Sequence, residues 1–170
     1  MKIFKAALVV ILLIVSTLLL LGVFVPEVDD EFEVKINRPV IQVYAGMANM
    51  QQAPLWVVGL DSVEQIGGFL AMPGSSFKLY YSGTETSVVY DMEVLEMVPL
   101  KSVKFKLYND MFEFIVSINF EVDGGGTMLN TYVQMKGKGL IPRSFLPLLK
   151  SSIIEVGKTN FEGLKQLQEQ

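Results

Sequence analysis

The chain has 170 residues, 51% of them hydrophobic, and its 14 basic and 18 acidic side chains give a formal charge of −4. It contains no histidine and no cysteine, which excludes disulfides, thiolate chemistry and Cys-ligated metals and removes the commonest general base and metal ligand together. Setting aside Lys2 and Lys5, which precede the apolar segment described next, leaves a formal charge near −6, a surface that repels phosphate backbones and speaks against nucleic acid as a partner.

The first element is AALVVILLIVSTLLLLGVFV, Ala6 to Val25, 20 residues without a charge between Lys5 and the acidic run Glu27, Asp29, Asp30 and Glu31. As a helix it spans roughly 30 Å, the thickness of a bilayer's hydrocarbon core. A cleaved signal peptide is the rival reading. Its apolar region runs to only about 7–15 residues and ends at small residues, whereas this segment leaves through Gly22-Val23-Phe24-Val25-Pro26. The length favours an anchor. Lysines before the segment and carboxylates after it place the N-terminus in the cytoplasm and the following domain on the extracytoplasmic side of a single-pass membrane protein. Residues 1–26 are therefore read as the anchor, 27–31 as a stem, and 32–170 as one domain, long enough to enclose one substantial core.

Phe32, Val34 and Ile36 alternate with Glu33, Lys35 and Asn37, a strand with one buried face. Pro39 then opens a short helix over Val40 to about Met50, and a second short helical or irregular segment carries Pro54 and Trp56. Strands are predicted at about Leu60 to Ile66, Phe77 to Ser82, Thr86 to Met97, Ser102 to Tyr108, Met111 to Val122 and Thr127 to Lys136. In Met111 to Val122 every even position is apolar, so one face packs and the other is wet. Asp123-Gly124-Gly125-Gly126 supplies residues that tolerate positive φ, which predicts a hairpin turn rather than a phosphate cradle, since the latter opens a helix. From Leu140 the period lengthens. Phe145, Leu149, Ile153, Val156, Asn160, Leu164 and Leu167 predict a long amphipathic helix, regular from near Pro147, with Gly157 and Gly163 weakening its interior.

Several segments resemble the START-like (SRPBCC) superfamily of polyketide cyclases and lipid-transfer proteins. They are Val34-Lys35-Ile36-Asn37-Arg38-Pro39, the Val43-Tyr44 pair, Pro54 to Val63 around Trp56, Gly74-Ser75-Ser76-Phe77, the hairpin Phe120 to Thr127, and Met135-Lys136-Gly137-Lys138-Gly139. At Val58 the chain lacks a proline often seen in that family. The resemblance covers about residues 32–170. It implies an α+β helix-grip fold, a curved antiparallel sheet of about seven strands around a long C-terminal helix, with two short helices after the first strand. It also implies a cavity between sheet and last helix.

Candidates to line such a cavity are Tyr44 and Trp56 from the helical segments, Phe77, Leu79 and Tyr81, then Tyr90 and Met92, then Phe105 and Leu107. Phe112, Phe114 and Tyr132 follow from the last strands, and Leu149 and Ile153 from the helix. Aromatics and methionines make adaptable apolar walls, and phenols can orient a polar end; equally, such residues can simply fill a core. The expected ligand is a hydrophobic small molecule or lipid, with no cofactor, no metal and no catalytic residue. A cyclase or dehydrase working through tyrosines and carboxylates is the alternative, and a protein-interaction module with a filled core is the third. Asp91 and Glu93 lie opposite Tyr90 and Met92 and are read as surface charges, as are Asp61 and Glu64. Lys136, Lys138, Arg143 and Lys150 form a basic cluster near the start of the last helix, either a solvated group or a site for an anionic head group.

Overall fold

The computed structural model describes residues 2–69, 72–82 and 87–170. An N-terminal helix α1 (Lys2–Phe24) leads after two residues into β1 (Glu27–Ile36). Then come α2 (Val40–Ala48), a 3-10 turn (Met50–Leu55), strands β2 (Leu60–Gly67), β3 (Ser76–Ser82), β4 (Ser87–Val98), β5 (Ser102–Tyr108), β6 (Phe112–Asp123) and β7 (Gly126–Gly137), and the last helix α3 (Leu140–Glu169). Thr86, expected to open the fourth strand, lies outside the described residues.

The seven strands form one antiparallel sheet in the order β1-β7-β6-β5-β4-β3-β2. Five consecutive hairpins build the meander β2 to β7, and the first strand returns to pair with the last. Gly124 and Gly125, at φ of 57° and 89°, make the two-residue turn between β6 and β7, the geometry whose twist matches the flanking strands. Pro39 caps α2 through its carbonyl, which accepts the Gln42 and Val43 N–H groups, and Val43 and Met47 turn into the core.

The segment 27–31 is not a stem. It is the first half of β1, in register with β7 from Glu27 opposite Lys136 to Glu31 opposite Tyr132. Its charges suggested a linker, but they have partners: Glu27 meets Lys136 at 2.9 Å and Asp30 meets Lys150 at 3.1 Å. The even-position rule for β6 also stops short of its end, since Val122 beside the hairpin turn is 75% exposed.

Helix α3 begins at Leu140 rather than near Pro147. Pro142 sits in its first turn, where N–H groups have no intrahelical partner and a proline costs little. Pro147 lies inside the helix. The inward face of α3 is carried by Leu146, Phe161 and Leu164, with Ile153 and Ile154 partly buried. Phe145, Leu149 and Val156, expected on that face, are exposed. Among the strands α3 packs on β1 and β7, which leaves the β3 to β5 side of the sheet at a distance from it.

Candidate ligand-binding cavity

The buried apolar residues divide into two clusters. One gathers β1, β6, β7, α2 and α3 around Phe32, Ile36, Leu129 and Leu146. The other gathers Ala53 of the 3-10 turn with Leu60, Phe77, Leu79, Met92 and Val94 of β2 to β4. A domain of this size ordinarily has one contiguous core. Here the space between the clusters, under α3, is a cavity of about 570 Å³.

The sheet supplies most of the wall because alternate residues of each strand face α3. Phe77, Leu79 and Tyr81 come from β3, Tyr90 and Met92 from β4, Phe105 and Leu107 from β5, and Phe114 from β6. Trp56 follows the 3-10 turn, and Ile153 descends from α3. These ten sequence candidates share one cavity. Four others lie elsewhere. Tyr44 packs edge-on to Phe120 with ring centroids 5.5 Å apart, and Phe112 is packed into the first cluster beside Phe114 at 6.2 Å. Leu149 is 40% exposed on the outer side of α3, and Tyr132 is 42% exposed on the wet face of β7. The strand period accounts for Tyr132: Thr131, Val133 and Met135 point inward, so their neighbour must point out.

Other lining residues come from positions not singled out in the sequence. Phe32 was legible as an inward position of β1. Phe161 was hidden by a periodicity drawn one residue off, through Asn160. Thr131 carries no aromatic or charge signal at all. Phe161 joins Phe32 at 5.7 Å and Trp56 at 6.1 Å between ring centroids, so one aromatic chain links β1, α3 and the 3-10 turn at one end of the cavity. Asn160 fixes the same region, its Oδ1 accepting the Val58 N–H at 2.9 Å.

Among the described lining residues there is no Asp, Glu, Lys or Arg. The polar atoms are few. Tyr81 and Tyr90 meet edge-on at 5.7 Å. Burial, with Tyr90 nearby, pushes the Tyr81 phenol up to about 12, and burial also raises Tyr90. Both stay neutral donors at any physiological pH. Two further groups, Trp56 Nε1 and Thr131 Oγ1, are buried without a hydrogen-bond partner. Buried polar side chains nearly always have one, and each exception calls for an explanation.

The charged candidates are accounted for on the outer face. Asp91 pairs with Lys78 at 3.2 Å and Glu93 with Lys106 at 3.2 Å. Glu64 accepts from the Tyr80 hydroxyl at 2.7 Å, and Asp61 accepts from Ser82. In the basic cluster, Lys136 and Lys150 hold Glu27 and Asp30, Lys138 donates to the Asn109 carbonyl at 2.7 Å, and Arg143 donates to the Gly137 carbonyl at 3.0 Å. These contacts tie β1, β7, α3 and the β5–β6 turn together.

No family model and no curated protein matches the sequence. Solved structures do match. The chain superimposes on Ara h 8.0201 with a TM-score of 0.72 at 12% identity, covering 84% of this chain and 97% of that one. The Zhui aromatase/cyclase from Streptomyces sp. R1128 gives 0.72 at 10% identity, covering 84% and 94%. A Staphylococcus aureus protein of unknown function gives 0.69 at 13%, again covering 84% and 94%. This is the helix-grip fold. The helix-grip frame explains the divided core, because one helix laid along one side of a seven-stranded sheet cannot cover all of it.

Proposed function

We propose that this protein is a membrane-tethered, non-catalytic binding protein whose helix-grip cavity takes one uncharged hydrophobic small molecule or lipid bearing a hydrogen-bonding group. The observation that carries the reading is the cavity itself. Its volume of about 570 Å³ falls in the range of roughly 300–1,000 Å³ typical of ligand sites, apolar with a few placed polar groups. Apolar walls favour an apolar ligand at about 25 cal/mol per Å² buried. With no charged residue among the described lining, a charged ligand would be stripped of water without repayment, which argues for a neutral one. The neutral phenols of Tyr81 and Tyr90, which line the wall, supply hydroxyls for its polar end.

The tether is α1, which is long and apolar enough to cross a membrane. On the charge bias around it the domain faces the extracytoplasmic side. Binding is favoured over cyclisation or dehydration because the proton-bearing groups among the described lining residues are phenols, hydroxyls, an indole and an amide, none of which moves a proton readily near neutral pH. The test is to extract the full-length protein with its surrounding lipid in polymer-bounded discs. Bound small molecules are then compared by mass spectrometry with those of an Ile153→Trp variant, in which the indole fills cavity space. A compound enriched in the parent and depleted in the variant supports the reading. Equal profiles overturn it.

A further inference from the structure

Helix α3 carries more apolar surface than its core contacts use. Besides its buried face it exposes Ile141, Phe145, Leu148, Leu149 and Val156, with Ile141 at 66% and Leu148 at 61%. At about 100° per residue, these five fall on one continuous outward sector that starts beside Ser144 and ends at exposed Ser152 and Val156, which help line the cavity. From Leu140 to Ser152 that sector has no charged side chain. The two cations in the stretch, Arg143 and Lys150, are turned to the Gly137 carbonyl and to Asp30.

The neighbour of this sector is α1. A Cβ built on Gly22 would lie 2.5 Å from Ser144 Oγ and 2.8 Å from the Leu140 carbonyl oxygen, so the last turn of α1 rests directly on the first turn of α3. Ser144 is buried there. Only two residues separate α1 from β1, and β1 is held along its length by β7. The helix and the domain are thus joined rigidly. A 23-residue helix spans about 34 Å, close to the roughly 30 Å of a hydrocarbon core, which puts Gly22 at the lipid boundary. Whatever depth Gly22 has, the first turns of α3 share.

We infer that the outward face of α3 over Ile141, Phe145 and Leu148 is a second membrane-contacting surface, inserted in the acyl-headgroup boundary of the same leaflet that α1 leaves. The inference rests on the reading of α1 as a membrane anchor. Its occupant is lipid because the exposed apolar sector is continuous with the apolar surface of α1 and lies at the same level. An uncharged sector on a domain of net negative charge would insert by apolar burial alone, so zwitterionic lipid suffices. Exposed Met111, in the turn whose carbonyl accepts the Lys138 N–H, lies at the same end of the sheet.

The chain has no native cysteine, so Leu148→Cys, Leu12→Cys and Lys101→Cys can each carry one fluorescent label in the full-length protein reconstituted into phosphatidylcholine vesicles. Leu148 and Lys101 are exposed, and their replacement opens no core gap. Lys101, in the β4–β5 turn, stands at the opposite end of the sheet. Vesicles with brominated acyl chains should quench most of the signal at Leu12 and Leu148 and leave Lys101 unaffected. Quenching at Leu12 without quenching at Leu148 overturns the inference while the anchor stands. If Leu148 is shielded and instead cross-links to Leu148→Cys of another molecule, a second copy covers the face and the inference falls. Absence of quenching at Leu12 removes the anchor reading and this one with it. Equal quenching at Lys101 would mean the domain has no fixed orientation, and would also refute it.

Discussion

Replacing Thr131 by valine should make the ligand-free protein more stable. The side chain is 2% exposed, sits in β7 opposite Phe32 of β1 and Ile118 of β6, and its hydroxyl is buried with no partner. A buried polar group left unpaired costs about 1–3 kcal/mol. Valine keeps the branched shape and strand preference while exchanging the hydroxyl for a methyl. A gain of about 1–2 kcal/mol is expected, a rise of roughly 3–8 °C in Tm for a domain of this size. Because the hydroxyl oxygen has almost no accessible surface, the same change should leave ligand affinity unaltered. Thermal melts of parent and variant, each freed of bound lipid, measure the first effect, and ligand titrations measure the second. A variant no more stable than the parent would refute the reasoning, because it would mean that the hydroxyl already has a partner.

Trp56 is the sole tryptophan and lines the cavity, so its emission should change when dodecanol binds. Dodecanoate should need at least about tenfold higher concentration, since an unpaired buried carboxylate loses several kcal/mol of hydration; equal affinities would contradict a neutral-ligand site. Tyr81, with its folded pKa near 12 against 10.0 unfolded, holds its proton longer in the native state. It therefore leaves stability unchanged below pH 10 and lowers it as pH climbs from 10 to 12, by about 2–3 kcal/mol in all. Denaturation midpoints over that range should fall less steeply in Tyr81→Phe, and identical slopes would show an ordinary exposed phenol. Asp30 is shifted the other way, its pKa lowered below 3.8 by the Glu31 N–H and by Lys150. Its contribution is present above the unfolded value and lost as pH falls through the folded one. Asp30→Asn should show a shallower acid-side decline than the parent, and an unchanged acid profile would mean the Lys150 pair adds nothing.

Strands with strict alternation were legible in the sequence because period two forces one face inward, and a single glycine-rich turn fixed the last hairpin. The cavity candidates on β3 to β6 followed from the same rule. What failed was the helical period. In α3 the apolar residues form two adjacent faces, and the line through Phe145, Leu149, Ile153, Val156, Asn160 and Leu164 crosses from the outer one to the inner one, whereas the buried line runs through Leu146, Ile153, Phe161 and Leu164. Periodicity alone cannot separate two adjacent apolar faces. The acidic run 27–31 looks like a stem in the sequence because its lysine partners on β7 and α3 are more than 100 residues away. Gly163 reads as a flaw in a helix until the Trp56 carbonyl is placed beside it, where a Cβ would come within 2.6 Å. Thr131 gave no signal, because an unpartnered hydroxyl is a property of its surroundings.

The two faces of α3 have a joint consequence if the cavity binds an apolar molecule and the outer face lies in lipid. Moving such a molecule through water costs about 0.8 kcal/mol per methylene, so ten exposed methylenes add about 8 kcal/mol to the barrier and slow transfer by roughly a millionfold. Leu148 and Leu149 lie between the contact with α1 and the exposed cavity-lining residues Ser152 and Val156, all on one side of one helix. A ligand passing along that side from the leaflet to the cavity would keep apolar surface against it throughout. The fixed joint at Gly22 and Ser144 matters for the same reason, since a domain swinging on a flexible stem would bring the cavity to the bilayer only part of the time. Replacing Leu148 and Leu149 by serine should then slow ligand uptake from vesicles far more than it weakens affinity at equilibrium, because neither residue touches the cavity.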